Sequence, residues 1–241
     1  MNFNTPLDIS LSLLQALSTK IFRHYEDRIP QDARVLVVSN HRSFMDAPVL
    51  MAALNKPVRF ACHHYMSQVP IMREFVMGQL GCFPLEVNEQ RSNSFFQQSQ
   101  ILLRAKHMVG VFPEGAQPMV KFNPPNTIGD FQRGFAHLAL RATVEDLTIL
   151  PIAIASIEEV STSAIPLRVL NLFDPSEPLF NQPGMHPLVI YKRLAVLVGQ
   201  PYWITKQHRE KYQGKQGRSM VTEVTQHCHS EIANLLREGC Y

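Results

Sequence analysis

The sequence predicts an α/β fold: a single domain on a mixed, largely parallel sheet flanked by helices. Three observations predict it. Short β-branched or apolar runs alternate with stretches of helical periodicity, the order that parallel strands and crossover helices produce. The 241 residues, 45% hydrophobic and 18% charged, have a globular composition and suffice for one sizeable core. No repeat or linker separates one part of the chain from another.

The elements follow in order. Leu7, Leu11, Leu14, Leu17, Ile21 and Phe22 fall near one stripe, so residues 7–25 read as an amphipathic helix, with Lys20, Arg23 and His24 at its basic end. Such a helix either packs on the domain or lies in a membrane interface, and residues 1–30 are set apart from a domain over 31–241. The run 35–38 is a strand, followed by a helix over about 43–54. "KPVRFACH" is a second strand, 71–80 a helix, "GCFPLEV" an extended segment and 92–107 a polar helix. "MVGVF" is another strand, "FQRGFAHLALRA" a helix and "LTILPIAIA" a buried strand. Prolines then punctuate the chain before "PLVIY" and "LAVLVG", read as two strands. "KQHREKYQGKQGR" reads as a basic loop before an amphipathic helix over about 219–236.

Composition narrows the function. A net charge of +3 suits an anionic surface and falls far short of a dedicated nucleic-acid binder, so no nucleic-acid partner is expected. Cys62, Cys82, Cys228 and Cys240 lack Cys-x-x-Cys spacing, and no signal peptide opens the chain, which points to reduced thiols in the cytoplasm. No apolar run approaches the roughly 18 residues of a membrane span. His63–His64 and His227–His229 lack zinc-site spacing, so neither a metal nor a cofactor is expected.

Two polar elbows stand at strand ends. In "VSNHRSFMDAPVL", His41 and Asp46 are five apart, about 140° around a helix. They can meet only if His41 lies in the turn and the helix starts near Ser43. Ser43-x-x-Asp46 is also a capping-box pattern, which explains Ser43 and Asp46 as a helix start but leaves Asn40 and His41 unexplained. "VGVFPEGAQP" repeats the strand-then-elbow arrangement, and parallel neighbours would open both elbows at the carboxyl edge of the sheet, where α/β folds bind ligands.

These two blocks resemble the glycerolipid acyltransferase family. Its Asn-His-x-x-x-x-Asp block is matched by Asn40, His41 and Asp46, and its Phe-Pro-Glu-Gly block by Phe112, Pro113, Glu114 and Gly115. An apolar strand containing proline resembles "ILPIAIA", and the likeness runs from about Arg28 to Gly199. The resemblance implies that His41 acts as general base, that Asp46 orients it, and that Glu114 and Gly115 hold the acceptor. A neutral imidazole suits removal of a hydroxyl proton, and a thioester donor, acyl-CoA or acyl carrier protein, is already activated.

Two positions depart from the family pattern. Ala116 and Gln117 follow the glycine where the family has Thr-Arg, and Val87 stands where an earlier block ends in arginine. Both family arginines grip the acceptor phosphate, and Arg91 or Arg133 could substitute. The expected activity is O-acyl transfer to a lyso-lipid at a membrane surface, with 1-acylglycerol-3-phosphate as the leading acceptor and a phosphate-free alcohol as the alternative. A weakly catalytic lipid-binding protein on the same fold is the reading from another class.

Overall fold

The computed structural model describes residues 5–86, 90–120, 124–173, 175 and 177–239. Val87 and Cys240 lie outside them. Among the described residues, eight strands form one sheet: β1 (Lys20–His24), β2 (Arg34–Ser39), β3 (Val58–Cys62), β4 (Phe83–Pro84), β5 (Met108–Val111), β6 (Leu147–Pro166), β7 (Met185–Val198) and β8 (Tyr202–Trp203). Their order is β1-β7-β6-β2-β5-β3-β4, with β8 pairing β6. The block β6-β2-β5-β3-β4 is parallel, β7 and β8 run antiparallel to β6, and β1 runs parallel to β7.

The sheet is covered on both faces, as the unbroken apolar run of β2 requires. Leu36 and Val38 enter one core, with the helix Gly134–Arg141 and the C-terminal helix Gly217–Glu238. Val35 and Val37 enter the other, with Val49, Leu50 and Leu54 of helix α2 (Asp46–Leu54). The helix Gln90–Arg104 packs beside β5 and β2.

The N-terminal helix is shorter than its periodicity suggests. Helix α1 (Pro6–Ala16) is capped by Thr5, whose hydroxyl accepts from the Asp8 amide, and stops before Ser18, which has φ 55°. Residues 20–24 are not helical; they pair with Arg193–Leu197 as the edge strand β1. The open edge of β7 offers Ile21 and Phe22 a strand partner, and tertiary pairing overrides the helical stripe. Leu14 is buried and Leu11 is 46% exposed, so only part of the stripe is committed to the core.

Three further expectations are corrected. Residues 71–80 are not one α-helix: a short helical turn, Pro70–Met72, runs into a π-helical stretch, Arg73–Gln79. "PLVIY" and "LAVLVG" are one continuous strand, β7, because β6 runs on to Pro166 and supplies a partner along its whole length. The basic segment is not a loop but a helix, Lys206–Gln213, with Thr205 and His208 forming a capping box.

Two consequences place the site. The ladder of β2 with β6 ends at Ser39↔Ile152, whereas β6 and β7 continue together to Pro166↔Met185 through several register shifts. This hairpin overhangs the carboxyl edge of the parallel strands. The basic helix lies at the opposite edge, since Arg209 donates to the carbonyls of Ala142 and Val144, which precede β6.

Candidate active site

The first elbow forms where β2 leaves the sheet. The Asn40 side-chain amide donates to the Ile154 carbonyl at 3.0 Å, and its oxygen accepts from the Ile154 amide at 2.9 Å. A side chain thus continues the ladder to β6 and frees the backbone to turn. His41 lies in that turn, outside α2, and its Nδ1 is 2.8 Å from Asp46 Oδ2. The same oxygen accepts the amides of Arg42 at 2.6 Å and Ser43 at 2.8 Å, and Oδ1 accepts the Tyr191 hydroxyl at 2.9 Å. Asp46 is fully buried, a position a carboxylate holds only when so many donors meet it.

Both readings of the Ser43–Asp46 spacing are realised in part. Asp46 accepts the Ser43 amide, half of a capping box. The Ser43 hydroxyl does not complete it: it donates to the Val189 carbonyl at 2.6 Å and accepts from Met45 N, and Met45 caps α2 without a side-chain bond. One carboxylate therefore closes the turn and holds the imidazole.

The ring is fixed from behind as well. His41 stacks on Phe112 with centroids 4.4 Å apart, and Phe112 stacks on Phe60 at 5.0 Å. Phe60 reaches that place because Gly110 has no side chain; a Cβ there would come 2.2 Å from the ring. With Nδ1–H donated to Asp46, the lone pair on Nε2 is available to a substrate proton, and 19% of the His41 side chain is exposed.

The second elbow follows β5. Gly115 has φ +67°, and its amide donates to the Phe112 carbonyl. A Cβ at Gly115 would also meet Gln132 Nε2 at 2.4 Å, so the position needs glycine for backbone and for space. Glu114 turns inward, 3% exposed, its Oε1 accepting the His41 amide at 2.9 Å and its Oε2 the Gly129 amide at 2.7 Å. Burial pushes its carboxyl above the usual range, and the two amides pull the other way. Glu114 thus ties the elbows together, while Pro113 accepts the Gln132 amide.

Among the residues proposed for phosphate, Arg91 directs its guanidinium at Glu177 Oε2, 3.4 Å away. His63, just past β3, holds the same oxygen at 2.9 Å. Gln117 and Arg133 are exposed. Elsewhere His229 packs edge-on against Phe131 and His227 beside Tyr202. Among the described residues, no three His, Cys, Asp or Glu side chains gather as a metal site.

Sequence reasoning missed the hairpin's part in the site. Arg42 pairs with Glu159 on β6, and Ser43 and Asp46 bond to Val189 and Tyr191 on β7. Nothing local marks Tyr191 as functional within "PLVIY"; only the register that swings β7 over α2 brings it to Asp46.

Chemically, a buried carboxylate and an oriented imidazole with Nε2 exposed can accept a proton and return it, without a nucleophilic side chain. No curated protein matches this chain significantly. Its fold is similar to that in the crystal structure of the 1-acyl-sn-glycerophosphate (LPA) acyltransferase PlsC from Thermotoga maritima, with a TM-score of 0.60 and 15% sequence identity over 97% of this chain and 77% of that chain. The acyltransferase family profile matches residues 20–155, a span containing both elbows. With more than half of its 241 residues in that match, the chain belongs to the acyltransferase family.

Proposed function

We propose that this acyltransferase moves a fatty acyl chain from an acyl thioester, acyl-CoA or acyl carrier protein, to the hydroxyl of a lyso-lipid in phospholipid biosynthesis. The leading acceptor is 1-acylglycerol-3-phosphate, giving phosphatidate. The observation that carries the reading is His41 held at Nδ1 by Asp46 with Nε2 open to substrate. As the acceptor oxygen attacks the thioester carbonyl, Nε2 takes the hydroxyl proton and Asp46 stabilises the imidazolium. The carbon–sulfur bond then breaks, and the same proton passes to the departing thiolate. Gly115 shapes the acceptor side, and Glu114 acts through the His41 amide it holds.

One observation favours a second reading, an acceptor without phosphate. Arg91 is engaged by Glu177, and Gln117 offers a neutral amide where the family uses arginine. For membrane contact we favour the carboxyl-edge end of the molecule, working peripherally in the cytoplasm. Phe44, Val160, Leu172 and Phe173 are exposed there, Leu11 is exposed on α1, and no helix among the described residues is long and apolar enough to cross a membrane.

Purified protein given both donors and a panel of lyso-lipids, with free thiol and product mass measured, tests the reading. Thiol release coupled to one new ester is the expected result. Tight lyso-lipid binding with no thiol release from either donor would leave the lipid-binding alternative.

A further inference from the structure

Strand β7 lies wholly beyond residues 20–155, the segment that matches the acyltransferase family, yet it reaches the catalytic turn twice. Val189 takes the Ser43 hydroxyl, and two residues on, Tyr191 donates to Asp46 Oδ1 at 2.9 Å. β7 thus meets the turn at two points, through a backbone carbonyl at Val189 and a side-chain hydroxyl at Tyr191. Tyr191 is 1% exposed, and burial together with the charge on Asp46 raises its phenol well above the ordinary range. It therefore remains a donor at any working pH.

We infer that Tyr191 is a positioning residue for the His41–Asp46 pair: its hydroxyl fixes the rotation of the carboxylate and limits how strongly Asp46 draws on the His41 ring. The inference rests on the proposed role of His41 as base. A carboxylate oxygen that receives a hydrogen bond shares its negative charge with the donor, and the charge left for the imidazolium falls. Removing the hydroxyl takes away the hydrogen bond that the buried Oδ1 of Asp46 accepts from Tyr191. The carboxylate then rotates more freely and favours the protonated ring more strongly. The other charged groups facing the pair stay in place: Glu114 from the second elbow, His186 at the start of β7, and Arg42 with Glu159 on β6.

The test uses the full chain in Tyr191→Phe form, with thiol release followed across pH. We expect kcat to fall about tenfold, the scale of one hydrogen bond to a charged group, with KM unchanged within about twofold. The acid limb of kcat/KM should move to higher pH. Site-specific 3-fluorotyrosine at position 191 keeps the ring and hydroxyl, so it folds even if Tyr191→Phe does not. Its more acidic phenol is a stronger donor and should move the limb the opposite way. Loss of activity only in proportion to loss of folded protein, or limbs that coincide in all three proteins, overturns the inference. Should the wild-type protein turn over no acceptor, the acyl-transfer reading fails by itself. The NMR titration of the His41 ring, assigned by its loss in His41→Ala, still decides the role of Tyr191: an unmoved midpoint in both variants overturns it.

Discussion

The two elbows look alike in the sequence, each an apolar strand followed by a tight polar turn, but they carry out different tasks. At the first, the carboxylate is buried and the histidine faces outward, braced by Asp46 and the Phe112 ring. At the second, the acidic residue itself turns inward, and both of its oxygens are taken by backbone amides. The first elbow presents the proposed base; the second holds the backbone amide of His41 in place. A polar residue at the mouth of an α/β sheet is thus not by itself a group that touches substrate.

Substitutions at the two elbows should separate these tasks. The largest effect is expected from His41→Ala, which should lower thiol release at least roughly 100-fold, the scale of losing a general base, and far more than its loss of folded protein accounts for. Asp46→Asn should be as severe for activity and also cost stability. Its amide cannot accept every donor that now meets the carboxylate, and a buried unpaired donor costs about 1–3 kcal/mol. Activity near wild-type in His41→Ala would remove the base assignment.

Next comes Glu114→Gln. The side-chain oxygen can still accept one amide, but the NH2 group would face the other donor. The expected outcome is a lower melting temperature together with a kcat lowered about tenfold, and little change in KM. If KM rises steeply with stability intact, Glu114 contacts the acceptor directly and the contrast between the elbows breaks.

A smaller, selective effect is expected at the phosphate candidates. Glu177→Gln should release Arg91 from its ion pair and raise kcat/KM for 1-acylglycerol-3-phosphate relative to a phosphate-free acceptor. Arg91→Ala in the same background should cancel the gain. Equal acceptor ratios in all three proteins would take Arg91 out of acceptor binding.

The smallest effect is on the pH dependence of stability. Burial lowers His186 below its ordinary 6.5 in the folded chain. As pH falls through 6.5 the unfolded chain therefore binds the proton first, and stability drops with acidification until the folded midpoint is reached. Glu114 is raised above its ordinary 4.5, so here the folded chain binds the proton first, and stability returns as pH falls through its folded midpoint. Each contribution is at most about 1.4 kcal/mol per pH unit. Melting curves of His186→Gln should be flatter below pH 6.5, and those of Glu114→Gln should lack the later recovery. The reverse pattern would contradict both shifts.

The sequence by itself determined the parts whose cause is local. The apolar run of β2 is legible because a strand buried on both faces has no polar side, and the five-residue spacing placed His41 in a turn ahead of the Asp46 helix. Gly115 was legible as part of a turn because only glycine takes that backbone without strain. Tertiary structure decided what depends on residues far apart in the chain. Residues 20–24 have the periodicity of a helix but form a strand because β7 leaves an edge unpaired. That the His41 and Gly129 amides meet the two oxygens of Glu114 is visible only in the folded chain. Tyr191 is 145 residues from Asp46, and no local pattern connects them. Their hydrogen bond exists because the antiparallel register of β6 and β7 carries one face of β7 across the start of α2, and register is set by the packing of the whole sheet.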